Sequence, residues 1–497
     1  MTALDRAIAR PAPVREFGAR SPLDGLDRRS VAFADVLAQS VSAVAPSAAA
    51  TTVVVLVAGV AGTATIAATL AAGLLALMVA STVNQFTKRM AAAGSLYTFV
   101  SKGLGSGAAL AAAAAIVIGY AFITMFALLG GAHYLTMLLG GLWPGFGGPW
   151  AGAAMLAAEA AVLSLVLVRG IRVSSRIALV VESISVVIIL VLLVVLLVQI
   201  GPVDVMAIVP SGGFSIVGFA AGAVLALTAF VGFESAATLG VEARSPLRNI
   251  PRAIVTTVLL AGGLYLLAAY AQVAGFRALG GELAGHDSPI NALATAYGVA
   301  ELGVLIDVGI AASFLACAIA SATALTRVLF SLGRDGVAPR ALGAVHARFR
   351  TPIGAIAVAL PIVAVAPIFV VVVGVAPWDA METVIAVSAA GYIGAYVLVC
   401  IAAPFFLRRI GELTFRAGVV ACTSAVVLVA GVLVYLVYEG VRGNPGTLLA
   451  LIVAAIAALV VLWRRRRGEA SLAGIGAYDE PIASEVLGGV ARRPTDA

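Results

Sequence analysis

Glu234 sits between Phe233 and Ser235 inside an apolar segment that opens near Phe214 and closes near Val241. A carboxylate in hydrocarbon costs at least about 2.5 kcal/mol and persists only where protein or water receives it. It can accept an amine, take up a proton or hold an unwound stretch of chain. A structural or gating role is favoured over direct ligand contact, because the backbone N–H groups of an unwound stretch already supply donors. Glu159, Glu182 and Asp307 are the other acids in apolar segments, and each becomes a proton site if its surroundings favour the neutral acid. Arg172 and Arg176 precede Glu182 by ten and six residues, so an ion pair needs a bend or a second helix. A second polar cluster, Gln39, Ser40 and Ser42, stands just before Pro46 and Ser47.

These groups need elements that carry them to membrane depth. Gly232 precedes Glu234 by two residues, and glycine weakens a helix through its backbone freedom. One reading is an ordinary membrane helix with a tolerated glycine and a snorkelling acid; the favoured one is a broken helix lining a cavity. Pro46 lacks an N–H and clashes with the preceding turn, while Ser40 and Ser42 can bond nearby backbone. A simple proline kink and a true interruption both fit. The pairing decides between them, since the two weak points lie in the first and sixth apolar spans. A repeat of five spans inverts the second unit, and paired interruptions in inverted halves point to a transporter site.

The chain has 497 residues, 62% hydrophobic and 11% charged, with mean hydropathy +1.11; soluble proteins carry about 25% charged residues. A membrane-crossing helix takes about 20 apolar residues. Such segments fall near 32–58, 62–87, 106–139, 149–168, 174–200, 214–241, 252–275, 301–331, 353–375, 381–407, 414–438 and 446–463. The expected fold is therefore an all-α polytopic membrane protein of about twelve helices. It comprises a first repeat over 32–200, an inverted second repeat over 214–407, with helices 1 and 6 broken, and two further helices over 414–463. A basic N-terminal tail over 1–31 carries Arg6, Arg10, Arg15, Arg20, Arg28 and Arg29 and no cleavable signal. A C-terminal tail over 464–497 begins with Arg464–Arg467 and includes Arg492 and Arg493. With both tails cytoplasmic, only Arg277 and Arg442 of the 31 basic residues face outward, which fits the positive-inside rule. The expected location is the cell membrane.

The net charge of +7 is distributed over span ends and short loops, a topology signal and not a nucleic-acid face. Cys317, Cys400 and Cys422 lie in apolar spans and form neither a disulfide nor a metal pattern. His133, His286 and His346 are scattered, so a membrane enzyme lacks its nucleophile–base or metal set, and no phosphate-binding G-x-x-x-x-G-K-[ST] occurs. No cofactor is expected, and the chain is not expected to be an enzyme.

Phe230-Val231-Gly232-Phe233-Glu234-Ser235, with the turn Glu242–Arg252, resembles the helix 6–7 signature of amino acid permeases of the amino acid–polyamine–organocation superfamily. Ala92–Val100, Thr326–Gly336 and Thr351-Pro352 resemble that family's loop after helix 2, end of helix 8 and start of helix 9. Two departures stand out: Ser40, Ser42 and Ala43 replace a Gly-x-Gly run at the first break, and Ser81–Phe86 replaces a Tyr-Ala-Glu-Leu-like run. The resemblance implies the leucine-transporter fold and an amino acid substrate moved by alternating access. It implies that Ser40, Val41, Ser42 and Ala43 receive the substrate carboxylate, while Phe230, Val231 and Gly232 offer carbonyls to its ammonium. Phe230 or Phe233 would cover the side chain; for Phe233, lipid-facing or core packing is an equal alternative. Glu234, Glu182 and Asp307 are the candidates for gating or proton coupling. A proton is favoured over sodium as coupling ion, although Ser321 and Thr323 could serve a sodium site of the kind sodium-coupled relatives build between helices 1 and 8. Some proton-coupled relatives carry a lysine in helix 5, and this chain has none. An amine or polyamine exchanger and a non-transporting sensor on the same fold are the competing readings. The partners implied are thus a small amino acid, a coupling ion and membrane lipid.

Overall fold

The computed structural model describes residues 25–143, 145–210, 214–281, 283, 288–299, 303–443, 445–466 and 475–479. Arg6, Arg10, Arg15, Arg20, Arg467, Arg492, Arg493 and His286, weighed above, lie outside the described residues, as does the Arg172 side chain. Among the described residues, eleven helical stretches are long and apolar enough to cross a bilayer. The first, Phe33–Thr87, has 55 residues, which as one helix would reach roughly 80 Å, far beyond a hydrocarbon core of about 30 Å. It holds two passes, because Gly62 leaves the helix at φ 55° and a short 3-10 turn over Gly62–Ala64 begins the next. Twelve passes result.

They are α1 (α1a Phe33–Val44 and α1b Pro46–Ala61), α2 (Thr65–Thr87), α3 (Ser106–Leu142), α4 (Gly148–Arg169), α5 (Ile171–Ile200) and α6 (Ile216–Thr228). After a 3-10 segment over Phe233–Leu239 come α7 (Pro246–Ala278), α8 (Gly303–Arg334), α9 (Ile353–Val372), α10 (Pro377–Arg409), α11 (Phe415–Arg442) and α12 (Pro445–Arg466). Short helices over Leu96–Leu104, Val205–Ile208 and Pro289–Ala296 lie between passes and were not foreseen in the sequence. Among the described residues there is no strand, only the isolated bridges Val31–Ala243 and Ala91–Asp479.

Two groups of helices form the body. α3 packs along α8 and α10, and α1, α2, α6 and α7 pack on one another. Small residues permit the close approach that drives helix association in lipid. At Gly119 an added Cβ would come within 2.8 Å of Tyr392, at Gly391 within 2.6 Å of the Ala115 carbonyl, and at Gly130 within 2.6 Å of Phe314. α5 turns Val187, Val191, Val194 and Val198 outward, a stripe at helical spacing that suits lipid. The core thus lies where α1, α3, α6, α8 and α10 meet, and both breaks fall inside it.

Candidate functional site

The first break follows from Pro46. Without an N–H it cannot continue α1a, but it suits the first position of α1b. Ala45 between them adopts φ 47° and donates to the Ser42 carbonyl at 3.1 Å. The second break follows from Gly232. α6 stops at Thr228, the chain turns through Phe230 and Val231, and Gly232 takes φ 103° before the 3-10 segment. An added Cβ there would lie 2.8 Å from the Ala43 carbonyl, so glycine is required both by the backbone angle and by the first break pressing on the second.

Side chains stitch the two breaks together. Ser40 Oγ donates to the Phe233 carbonyl at 2.5 Å, and Ser235 Oγ to the Gln39 carbonyl at 3.1 Å. Tyr265 on α7 reaches both interruptions, with its hydroxyl 2.7 Å from the Ala229 carbonyl and 3.3 Å from that of Val44. Gln39 Nε2 donates to the Ala320 carbonyl at 2.7 Å, and Cys317 Sγ to the Ala43 carbonyl at 3.4 Å, tying α1a to α8. The interruptions free carbonyl groups, and neighbouring helices return donors to them.

The exposed N-terminus of α1b is received by an acid. Glu182 Oε1 accepts from Ser47 N at 3.5 Å, Ser47 Oγ at 3.4 Å and Ser313 Oγ at 3.0 Å, while Ser313 Oγ also accepts from Ala48 N at 3.3 Å. A carboxylate is favoured at a helix N-terminus by the free N–H groups and the dipole. Glu182 Oε2 has no hydrogen-bond partner. Its partners are hydroxyls and backbone on α1 and α8 rather than the arginines weighed in the sequence. Glu234 differs, since Tyr120 Oη donates to Oε1 at 2.9 Å and Tyr396 Oη to Oε2 at 2.5 Å. Neither a cytoplasmic arginine nor a lipid face is involved; Glu234 is fully buried between α3 and α10.

Of the residues singled out in the sequence, Ser40, Ser42, Ala43, Gly232 and Phe233 meet at the paired breaks. Ser42 Oγ is buried and has no partner. Phe233 is buried and stacks on Tyr396 with ring centroids 5.4 Å apart, so it does not face lipid. Phe230 meets Tyr265 edge-on at 5.0 Å, and a Cβ on Gly73 or Gly262 would stand 3.4 Å from its ring. The carbonyls of Phe230 and Gly232 already accept from Phe233 N and Ser235 N within the turn. Val41 turns from the α6 break into a cavity beside α5 and α7. Asp307 accepts from Asn291 Nδ2 at 2.8 Å beside the short helix that precedes α8, away from both breaks. Glu159 faces Gly131, with neither oxygen partnered. Ser321 lies 3.8 Å from Cys317 Sγ, and Thr323 gives its carbonyl to Thr326 Oγ1 and Arg327 Nη1. Among the described residues no three His, Cys, Asp or Glu side chains gather as metal ligands.

Tyr120, Tyr265 and Tyr396 were missed. A tyrosine in an apolar span is itself a signal, because its hydroxyl needs a partner when buried. The basic end of the bundle was also under-read. Arg327 forms a buried two-point pair with Glu242, at 2.8 and 2.6 Å. Arg28 Nε and Arg29 Nη2 reach Asp479 at 2.9 and 2.5 Å, and Arg29 Nη1 donates to the Gly240 carbonyl at 2.9 Å beyond the 3-10 segment. Close by, Tyr97 Oη and Gly476 N donate to Asp335 Oδ2 at 2.7 and 2.9 Å. Burial pushes the Asp335 carboxyl above its usual range, and the Tyr97 hydrogen bond opposes it.

Residues 35–464 match the family described as Amino acid permease, and the chain belongs to that family. The branched-chain amino acid permease BcaP of Bacillus subtilis is 24% identical over 298 residues, 56% of this chain and 62% of that relative. The low-affinity putrescine importer PlaP of Escherichia coli is 24% identical over 281 residues, 56% of this chain and 61% of that relative. These matches therefore span about three fifths of the relatives' length. In structure the chain is similar to MhsT in complex with L-phenylalanine, with a TM-score of 0.58 and 14% identity over 82% of this chain and 99% of that one. The fold is that of the leucine transporter, with twelve passes and helices 1 and 6 interrupted.

Proposed function

We propose that this member of the amino acid permease family takes up amino acids across the cell membrane by alternating access, with both termini cytoplasmic and a proton as the coupling ion. The paired breaks supply the site: polar backbone at α1a and the α6 turn, covered by Phe230 and Phe233, in an otherwise apolar and small-residue setting. That setting suits a neutral amino acid, in keeping with BcaP.

One observation carries the coupling. Glu182 holds the N-terminus of α1b and Ser313 of α8 with one oxygen, while its other oxygen has no donor. A proton on Oε2 removes a buried charge, and its departure restores a carboxylate that grips α1b more strongly. Protonation is thereby tied to how firmly the broken helix is held against α5 and α8.

The test is uptake of a panel of radiolabelled amino acids and amines into proteoliposomes of the full chain, with and without proton or sodium gradients. Accumulation of a neutral amino acid that collapses with a protonophore is expected. Dependence on sodium, exchange alone, or binding without flux would overturn the reading. A diamine importer is the second reading, favoured by the name of PlaP and by Glu234, a buried carboxylate whose partners are tyrosines and not a cation. Putrescine in the same panel distinguishes it.

A further inference from the structure

We infer that the Tyr265 hydroxyl takes the place of a bridging monovalent cation between the two breaks and makes their pairing independent of sodium. This deepens the proton-coupled reading above and rests on it. In an unbroken helix the Val44 carbonyl would accept from Ala48 N, and the Ala229 carbonyl from Phe233 N. The breaks divert both donors: Ala48 N goes to Ser313 Oγ at 3.3 Å, and Phe233 N to the Phe230 carbonyl at 3.4 Å. Each carbonyl is left at the C-terminal end of a half-helix, α1a of 12 residues and α6 of 13. Such an end carries about half a negative charge.

The two ends converge on one atom. Tyr265 Oη lies 2.7 Å from the Ala229 carbonyl oxygen and 3.3 Å from that of Val44, and among the described residues no other side chain donates to either. Val44, Ala229 and Tyr265 are almost completely buried, so bulk water does not supply the missing donors. Carbonyl ends of interrupted helices at membrane depth are the groups that coordinate cations in transporters. Here they meet a neutral hydroxyl with a single proton, which serves both ends only by sharing it, the nearer one first. Phe230 packs edge-on against the Tyr265 ring at 5.0 Å, which fixes the hydroxyl in place without any ligand. The donor comes on the chain itself, so the breaks stay paired whatever the salt outside. An ion at that point would have to displace the hydroxyl.

Thermal unfolding of the full chain in detergent, in sodium chloride against choline chloride, tests this. The unaltered chain should melt at the same temperature in both salts. Tyr265→Asn removes the ring and sets an amide oxygen beside the two carbonyls, so it should melt lower in choline and recover in sodium, as a ligand that binds the folded state requires. Radiolabelled sodium should bind this variant several-fold more than the unaltered chain, and excess unlabelled sodium should displace it. Both readouts report ion occupancy of the folded chain and need no transport, so they fail or succeed separately from proton-coupled uptake. Where uptake is present, sodium should lower KM for the amino acid several-fold in Tyr265→Asn and leave it unmoved in the unaltered chain. A sodium response of equal size in the unaltered chain would overturn the inference, as would a folded Tyr265→Asn that ignores both sodium and potassium. Should Tyr265→Asn fail to fold, Tyr265→Ser, which keeps a hydroxyl but withdraws it from both carbonyls, gives the same reading.

Discussion

Glu182 and Glu234 stand at the two breaks of the bundle and are equally buried, yet their oxygens are served differently. Both oxygens of Glu234 receive a tyrosine hydroxyl, from α3 and α10. Its surroundings are complete, and the two bonds tie the 3-10 segment to α3 and α10. Glu182 has every donor on one oxygen and none on the other. Its donors come from α1b and α8, and its bare oxygen belongs to a group that lines a cavity open to lipid. Two almost completely buried carboxyls thus differ in hydrogen-bond supply rather than in exposure.

The comparison can be broken in several places. The largest effect belongs to a third acid, Glu242, whose charge is compensated by Arg327. Arg327→Ala strands that carboxylate and should cost about 3–5 kcal/mol, read as loss of folded protein on size exclusion and in thermal melts. Tyr396→Phe removes a donor from Glu234 and should cost about 1–3 kcal/mol in thermal stability, with the pH profile of uptake unmoved; a moved profile would mean that Glu234 also exchanges protons. Asp479→Asn removes the buried charge shared by Arg28 and Arg29 but keeps one acceptor oxygen, and should cost about 1–3 kcal/mol in thermal stability. It should also increase thiol accessibility of a cysteine introduced at Ala243, because the clasp also holds the chain beyond the 3-10 segment through Arg29. Ser313→Ala removes a donor from Glu182 and should cost only about 1 kcal/mol. Because the acid loses one of its donors, the pH profile of uptake should move, unlike that of Tyr396→Phe.

The fold was largely legible in the sequence because its signals are local. Apolar length sets the twelve passes, Pro46 and Gly232 mark the interruptions, and their separation by five passes marks the relation of the halves. Much of the site was legible only as a list of positions. Nothing local announces that Tyr120 and Tyr396, 114 and 162 residues from Glu234, converge on it, or that Tyr265 closes both breaks. Val41 shows the same limit: one turn of α1a separates residues that face the α6 break from residues that face α5 and α7, and a helix phase cannot be fixed from a proline alone. The clasp at Asp479 lies in the C-terminal tail, where no local signal announced it, and Ile475–Asp479 is held there by Arg28, Arg29, Ala91 and Asp335.

Proton movement during transport tests the difference between the two acids most directly. Proteoliposomes loaded with a pH-sensitive dye and given the transported amino acid should acidify inside with the unaltered chain and with Glu234→Gln wherever it folds. With Glu182→Gln, acidification should vanish while exchange of labelled for unlabelled substrate continues. Undiminished acidification in Glu182→Gln, or its loss in a folded Glu234→Gln alone, would contradict the assignment of Glu182 as the proton carrier.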